Sequence, residues 1–329
     1  MGDEHHGLLI ALPDAHQLEA HPIAGDLIQR CADMGMEAVA LTDNGSMYGV
    51  IEFYLKAKAK GIKPIIGCEV YLTEDMSQKT KGLDRLVLLC QDFRGYQNLI
   101  GLVSLAHLEG FYYKPRLDLK AFEGRTEGLV AISPGYNGPV ASGFRFHDSE
   151  KAEKNALALK ALFGDRFYLG LQKQELPFEE LVIEGTMGLS KAHGIPLVAA
   201  NDTYYLEPED STLKNVLRCI QTGKKLEDDL RVKFQTNDMS FRSPEAMADA
   251  FKDCPEAIEN TIKIAESCNL KLEMEQVKLP HFECPGGLSA EAYLEELVWK
   301  GMAAKYPELT QELKDRVQFE LSIINKMHY

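Results

Sequence analysis

The sequence predicts an α/β protein arranged as a barrel or layered sheet and finished by a mainly helical stretch. Three observations lead there. Short apolar runs alternate with helically spaced segments as far as Asp202. Several of those runs end in polar residues, the place where α/β barrels keep their sites. From Ser211 onward helical patterns dominate.

In chain order, Gly7-Leu8-Leu9-Ile10-Ala11-Leu12 is the first predicted strand. Asp26 to Met34 follows, with Leu27, Ile28, Cys31 and Met34 at helical spacing. Gly35 then ends the helix before the strand Ala38-Val39-Ala40-Leu41. A helix over Glu52–Lys60, stopped by Gly61, leads to a buried strand from Pro64 to Leu72. Further strands are read at Arg85–Cys90, Gly128–Ile132, Phe167–Leu171 and Ile195–Asp202. Helices are read at Tyr96–His107, 150–163 and Phe178–His193. Ser243-Pro244-Glu245 and Asp253-Cys254-Pro255-Glu256 each place Pro and Glu just after a capping position, a helix-start signature. Pro280 and Pro285-Gly286-Gly287 bracket a linker to a charged helical tail over Ser289–Tyr329.

Composition narrows the function. The 329 residues are 45% hydrophobic and 26% charged, the mixture of a chain that buries a large core. No run approaches the roughly 20 apolar residues that span a bilayer, and no basic-then-apolar leader opens the chain. The expectation is a cytoplasmic protein without a membrane partner. Lys and Arg total 36 against 50 Asp and Glu, a net charge of −14, the wrong sign for gripping a phosphate backbone unaided. The seven cysteines form no C-x-x-C pair and read as reduced, mostly buried thiols.

From the residues alone, the candidate site is the polar set at strand ends: Asp43 with Asn44, Glu69, His107, and Asp202 with Tyr204 and Tyr205. Carboxylates and an imidazole could bind a divalent metal. The competing reading makes Asp43 and Asp202 turn caps and His107 a helix-end histidine bonded to backbone. Spacing alone favours that structural reading. Gly45-Ser46-Met47-Tyr48-Gly49 lacks the spacing of a phosphate-cradling loop. Tyr112-Tyr113-Lys114-Pro115-Arg116 interleaves aromatic and basic groups as single-strand binders do, yet a packed loop explains it better, because Arg and Lys stems cover aromatic surface.

Longer words then carry a resemblance. Ala40-Leu41-Thr42-Asp43-Asn44-Gly45-Ser46-Met47-Tyr48-Gly49, Gly61 to Tyr71, and Ala106-His107-Leu108-Glu109-Gly110-Phe111 through Arg116 resemble the N-terminal PHP (polymerase and histidinol phosphatase) domain of bacterial replicative DNA polymerase III α subunits. So do Asn201-Asp202-Thr203-Tyr204-Tyr205-Leu206, Cys219 to Lys224, Pro255 to Thr261, and Ile323 to Met327. The resemblance implies a distorted parallel (β/α) PHP barrel over residues 1–280. Residues 281–329 then form a short helical segment resembling the start of the polymerase palm. In the family such barrels hold up to three metal ions on His, Asp, Glu and Cys, and some members hydrolyse phosphoesters or proofread DNA.

Departures from the family pattern shape the expectation. Alternating histidines of the first strand correspond here to Leu8, Ile10 and Leu12, followed by Pro13, with His16 and His21 beyond it. The family's L-T-D-H-G is L-T-D-N-G, placing Asn44 where an imidazole would be. Its S-G-C becomes Ser133-Pro134-Gly135, and its N-D-x-H-Y becomes Asn201-Asp202-Thr203-Tyr204-Tyr205. Asp43, Glu69, His107 and Asp202 remain as residual ligand candidates. Carboxylates crowded without a cation repel one another, which fits replacement of the lost donors by neutral groups. The expectation is therefore a degenerate metal site, no catalytic residues, no resident cofactor, and a structural and partner-binding role. The alternative is a reduced-ligand phosphoesterase or 3′–5′ exonuclease using Zn, Mn or Fe. The resemblance also implies that polymerisation uses magnesium-binding palm carboxylates lying beyond the Asn325-Lys326-Met327 word, so this chain alone is expected to be inactive. Its expected partners are the remainder of the α subunit and replisome proteins such as the proofreading exonuclease, with DNA met only indirectly.

Overall fold

The computed structural model describes residues 9–11, 20–80, 82–211, 216, 219–220, 223, 225, 239–274 and 282–327, with side chains from residue 25 onward. The chain divides into two compact units, Met1–Leu272 and Glu273–Tyr329. The residues around the expected boundary near 280 lie outside the described set.

In the first unit the strands are β1 (Leu9–Ala11), β2 (Ala38–Leu41), β3 (Lys63–Leu72), β4 (Asp84–Cys90), β5 (Arg116–Leu117), β6 (Leu129–Ser133), β7 (Phe167–Leu171) and β8 (Leu197–Ala199). They form one sheet in the order β1-β2-β3-β4-β6-β7-β8, with β5 paired to β3. The helices are α1 (Ala20–Asp33), α2 (Val50–Ala59), α3 (Phe93–Leu108), α4 (Pro139–Arg145), α5 (Ser149–Phe163), α6 (Glu179–His193), α7 (Pro244–Ala250) and α8 (Pro255–Ser267). Helix α1 begins earlier than the periodicity predicts because Pro22 falls in its first turn, where no N–H partner is needed. The last predicted strand shrinks to Leu197–Ala199, and the polar residues Asn201, Asp202 and Thr203 become a buried loop.

The α/β class and the helical C-terminal part are as the sequence predicts, and the distortion of the parallel barrel includes one reversed strand. Strand β4 pairs antiparallel with both β3 and β6, whereas β1-β2-β3 and β6-β7-β8 run parallel. The physical reason is the β3–β4 connection, which forms no helix over its described residues. A parallel return needs a crossover of about a dozen residues or more, usually through a helix, so this link sends the chain straight back.

Strand alternation assigns each face. Val39, Leu41, Ile66, Cys68, Leu86, Leu88, Leu129 and Leu169 belong to the large core shared with α1, α2, α3 and α5. Ala38, Ala40, Ile65, Val87, Leu89, Val130, Ile132 and Val198 form a second cluster with Ile264 of α8 and Cys268. With helices on one face and α8 on the other, the strands are buried on both sides and read as nearly continuous apolar runs. The α8 face is where strand parity also puts Glu69, Tyr71 and Arg85. Glu69 pairs with Val87, and Tyr71 pairs with Arg85.

Arg116, from the aromatic-basic word, is a buried clamp. Its Nε donates to Gly110 O at 2.8 Å, its Nη1 to Gln78 O at 2.6 Å and its Nη2 to Met76 O at 2.9 Å. Its guanidinium also stacks 5.4 Å from the Tyr112 ring. The loop is therefore packed around its own arginine. In the second unit, α9 (Ala290–Lys305) and α10 (Gln311–Lys326) are capped by Ser289 and Thr310, whose hydroxyls accept from Ala292 N and Leu313 N.

The cysteines follow the expected burial, with Cys284 only half-buried. Burial pushes the Cys31 thiol up to about 12 and that of Cys268 to about 11, and it raises Cys90 as well. A raised thiol stays protonated, and only the thiolate reacts. At about pH 8 an aromatic disulfide reagent is expected to titrate Cys284 rapidly, leaving Cys31, Cys90 and Cys268 silent until denaturant is added. Mass mapping that finds those three labelled in the native chain contradicts this burial.

Candidate functional site

The site grows from the turn that follows β2. Glu69 N donates to Asp43 O at 3.0 Å and Gly45 N donates to Glu69 O at 2.8 Å, so Asn44 bridges to Glu69 as a continuation of the parallel ladder. Cys68 Sγ donates to Asp43 O at 3.2 Å. The Cys68 thiol is raised by burial first, then by the neighbouring Asp43 and Glu69 carboxylates. Gly45 sits at φ +65°, and a Cβ there would lie 2.8 Å from Pro115 Cγ and 3.1 Å from Tyr71 Cε2. Only glycine takes that conformation in that space without strain.

On the α8 face, Glu69 is 2% exposed. A carboxylate so placed needs a partner, and Arg85 provides it. Arg85 Nη1 donates to Glu69 Oε2 at 2.8 Å and to Asn44 Oδ1 at 3.1 Å. The guanidinium lies 5.6 Å from the ring of Tyr71, its cross-strand neighbour, and Lys114 Nζ lies 5.4 Å from the same ring. Burial pulls the Arg85 guanidinium toward neutrality. Glu69, then Tyr204, Tyr71 and Asp202, more than offset it, so its hold on the proton is stronger than usual. Arg85 is thus the positive centre of this polar cluster.

The other sequence-selected residues surround this pair without forming a ligand shell. His107, in the last turn of α3, has Nε2 2.8 Å from Gly45 O, and its ring stacks on Phe111. Facing a carbonyl, Nε2 carries the proton and offers no lone pair. Asp43 Oδ2 lies beside the N-terminus of α2, since a Cβ on Gly49 would be 3.5 Å from it. A carboxylate is electrostatically favoured there. Asp202 is buried after β8. Its backbone N–H donates to Gln174 Oε1 and its carbonyl accepts from Gln174 Nε2, both at 3.2 Å. Asn201 Nδ2 donates to Ser240 O at 2.8 Å, fixing the same loop.

At the departure positions, Asn44 accepts from Arg85 and Tyr204 N donates to Met239 O. A Cβ on Gly135 would come within 2.8 Å of both Gln172 N and Gly170 O, so the backbone leaves no room for a cysteine there. Ile10 pairs in register with Ala40. Leu8, Leu12, Pro13 and His16 lie outside the described residues. Among the described residues, no group of three or more His, Cys, Asp and Glu is placed to hold a metal ion. Of the described donors, Glu69 is engaged by a guanidinium and His107 Nε2 by a carbonyl, an arrangement that does not suit these two to a shared divalent cation.

Arg85 is the residue that sequence reasoning passed over. Its signal was available in Asp84-Arg85-Leu86-Val87-Leu88-Leu89-Cys90, where a lone cation keeps step with Val87 and Leu89. A charge in the row of an otherwise apolar strand face calls for a buried counter-ion.

Comparison with known proteins identifies relatives of the chain. Residues 16–174 match the PHP domain family. The chain is 38% identical over 312 residues to DNA polymerase III subunit alpha of Borreliella burgdorferi and 36% identical over 311 residues to that of Treponema pallidum. Each alignment covers 92% of this chain and 27% of the relative. The chain thus spans about a quarter of the length of these curated relatives. Among solved structures, a sulfate-bound, metal-free amidohydrolase from Chromobacterium violaceum overlays 60% of this chain and 87% of its own, with a TM-score of 0.39 and 13% identity.

Gly45→Ala tests the turn that carries Asn44. The methyl group meets Pro115 and Tyr71 at a positive φ, and the expected loss of stability is on the order of 1–3 kcal/mol by chemical denaturation. An unchanged denaturation midpoint contradicts the close approach.

Proposed function

This chain carries a PHP domain homologous to the N-terminal region of DNA polymerase III α subunits, and we propose that it is a catalytically silent structural module of such a subunit. The observation that carries the reading is the Arg85–Glu69 pair at 2.8 Å inside the polar cluster. Metal-assisted phosphoester hydrolysis needs carboxylates and imidazoles with open lone pairs around one or two cations. Here the central carboxylate is neutralised from within the chain. Asp43, Glu69, His107 and Asp202 then serve as structural polar residues, and the neutral groups at Ile10, Asn44, Gly135 and Tyr204 belong to the same loss of ligands. No zinc, manganese or iron is required by this module, and magnesium belongs to the polymerase palm.

The partners follow from the same reading. Residues 1–280 form the PHP barrel, and residues 281–329 lead toward the palm. The remainder of the α subunit covers part of the surface, and replisome proteins such as the proofreading exonuclease bind elsewhere on it. With a net charge of −14, contact with DNA is indirect. No described helix is long and apolar enough to cross a membrane.

The test is a hydrolysis assay of the purified 329-residue chain with manganese or zinc, using a chromogenic phosphate ester and a 3′-labelled single-stranded DNA. No turnover above that of Glu69→Ala and Asp202→Ala variants is expected. Metal-dependent turnover that disappears in those two variants overturns the reading in favour of a phosphoesterase or 3′–5′ exonuclease with a reduced ligand set.

A further inference from the structure

We propose that Arg85 is the resident cation of this site, its guanidinium standing where a divalent metal ion would sit and making the fold independent of metal. The inference deepens the silent-module reading and rests on it. Three features of the structure point the same way. First, one nitrogen, Nη1, serves both Glu69 and Asn44, at 2.8 and 3.1 Å, in the manner of a centre shared by converging donors. Second, those two residues come from adjoining strand segments joined by the Asn44–Glu69 bridge, so the cation ties the turn after β2 to β3. Third, Asp202, from the loop after β8, acts on the same guanidinium, so it meets negative charge from a distant segment of the chain as well as from Glu69.

The replacement is specific to arginine. A guanidinium is planar, stays charged when partly desolvated and presents several donors in a fixed fork. It also stacks on the neighbouring Tyr71 ring. A lysine would supply the charge but neither the fork nor the flat face. The strand itself sets the reach: Arg85 pairs across from Tyr71, one step along the same face from the Glu69–Val87 pair, so the side chain meets Glu69 diagonally.

The consequence is an exchange of cations. With the guanidinium present, a divalent ion meets a like charge and a satisfied carboxylate. With it removed, Glu69 and Asp202 are left as buried carboxylates that attract one. The experiment compares the wild-type chain with Arg85→Ala, Arg85→Lys and the double variant Glu69→Gln/Arg85→Ala, after chelator treatment, by thermal melting and by calorimetric titration with manganese chloride alone. The wild-type midpoint is expected to ignore manganese. The Arg85→Ala midpoint is expected to fall by roughly 5–10 °C, as for a buried charge stripped of its partner, and to recover at least half of that with manganese. Arg85→Lys is expected to fall between the two. The double variant, which removes both charges, should melt above Arg85→Ala in chelator and ignore manganese.

Stoichiometric manganese binding by the wild type overturns the proposal, as does an Arg85→Ala chain that melts like the wild type and gains nothing from the metal. Should Arg85→Ala fail to fold, the double variant decides: a folded double variant supports the pairing, and one that also fails overturns it. Ester hydrolysis by the wild type would instead defeat the silent-module reading, so the two claims fail on different measurements.

Discussion

A buried carboxylate must be matched by a positive charge, and in this chain the match is made between neighbouring strands. Glu69 is almost fully enclosed, and Arg85 reaches it from β4. Removing two charges from water costs several kcal/mol per ion, and their attraction repays that only when geometry and remaining hydrogen bonds are good. Both conditions are met here: Asn44 shares the guanidinium, and the Tyr71 ring lies alongside it. The pair therefore specifies how the turn after β2, strand β3 and strand β4 register on one another, more than it adds net stability.

That register depends on β4 running antiparallel. Reversal of one strand in an otherwise parallel sheet places Arg85 opposite Tyr71 and one pair away from Glu69. The turn around Gly45 completes the arrangement. Its N–H is bonded to Glu69, its carbonyl meets His107, and its missing side chain lets Pro115 and Tyr71 close in. Of the candidate metal-site residues, Glu69 and Asn44 thus share one guanidinium and His107 meets a carbonyl. At Gly135 a side chain would collide with the β7 strand and the residue after it.

Much of this architecture was legible in the sequence. Strands at Ala38–Leu41 and Phe167–Leu171 match the reading residue for residue, because apolar runs flanked by glycines and helical periods leave little ambiguity. The antiparallel turn of β4 was not legible, because direction depends on whether a connection folds into a helix, and the stretch after Leu72 carries no apolar period to decide it. For the site, the sequence named the polar residues at strand ends, and the structure brings Asn44 and Glu69 together while leaving His107 on a carbonyl. Arg85 escaped notice because a search for electron-pair donors ignores the one group that donates protons. Counting charges along each face of each strand, rather than along the chain, would have exposed it.

The account stands on a guanidinium filling the place of a metal ion, and electron paramagnetic resonance of manganese reads that directly. Adding an equimolar amount of the wild-type chain to free manganese should leave the six-line signal of the hydrated ion undiminished. Stoichiometric loss of that signal, reversed by Glu69→Gln, would show that the site accepts a divalent cation with Arg85 in place and would contradict the account.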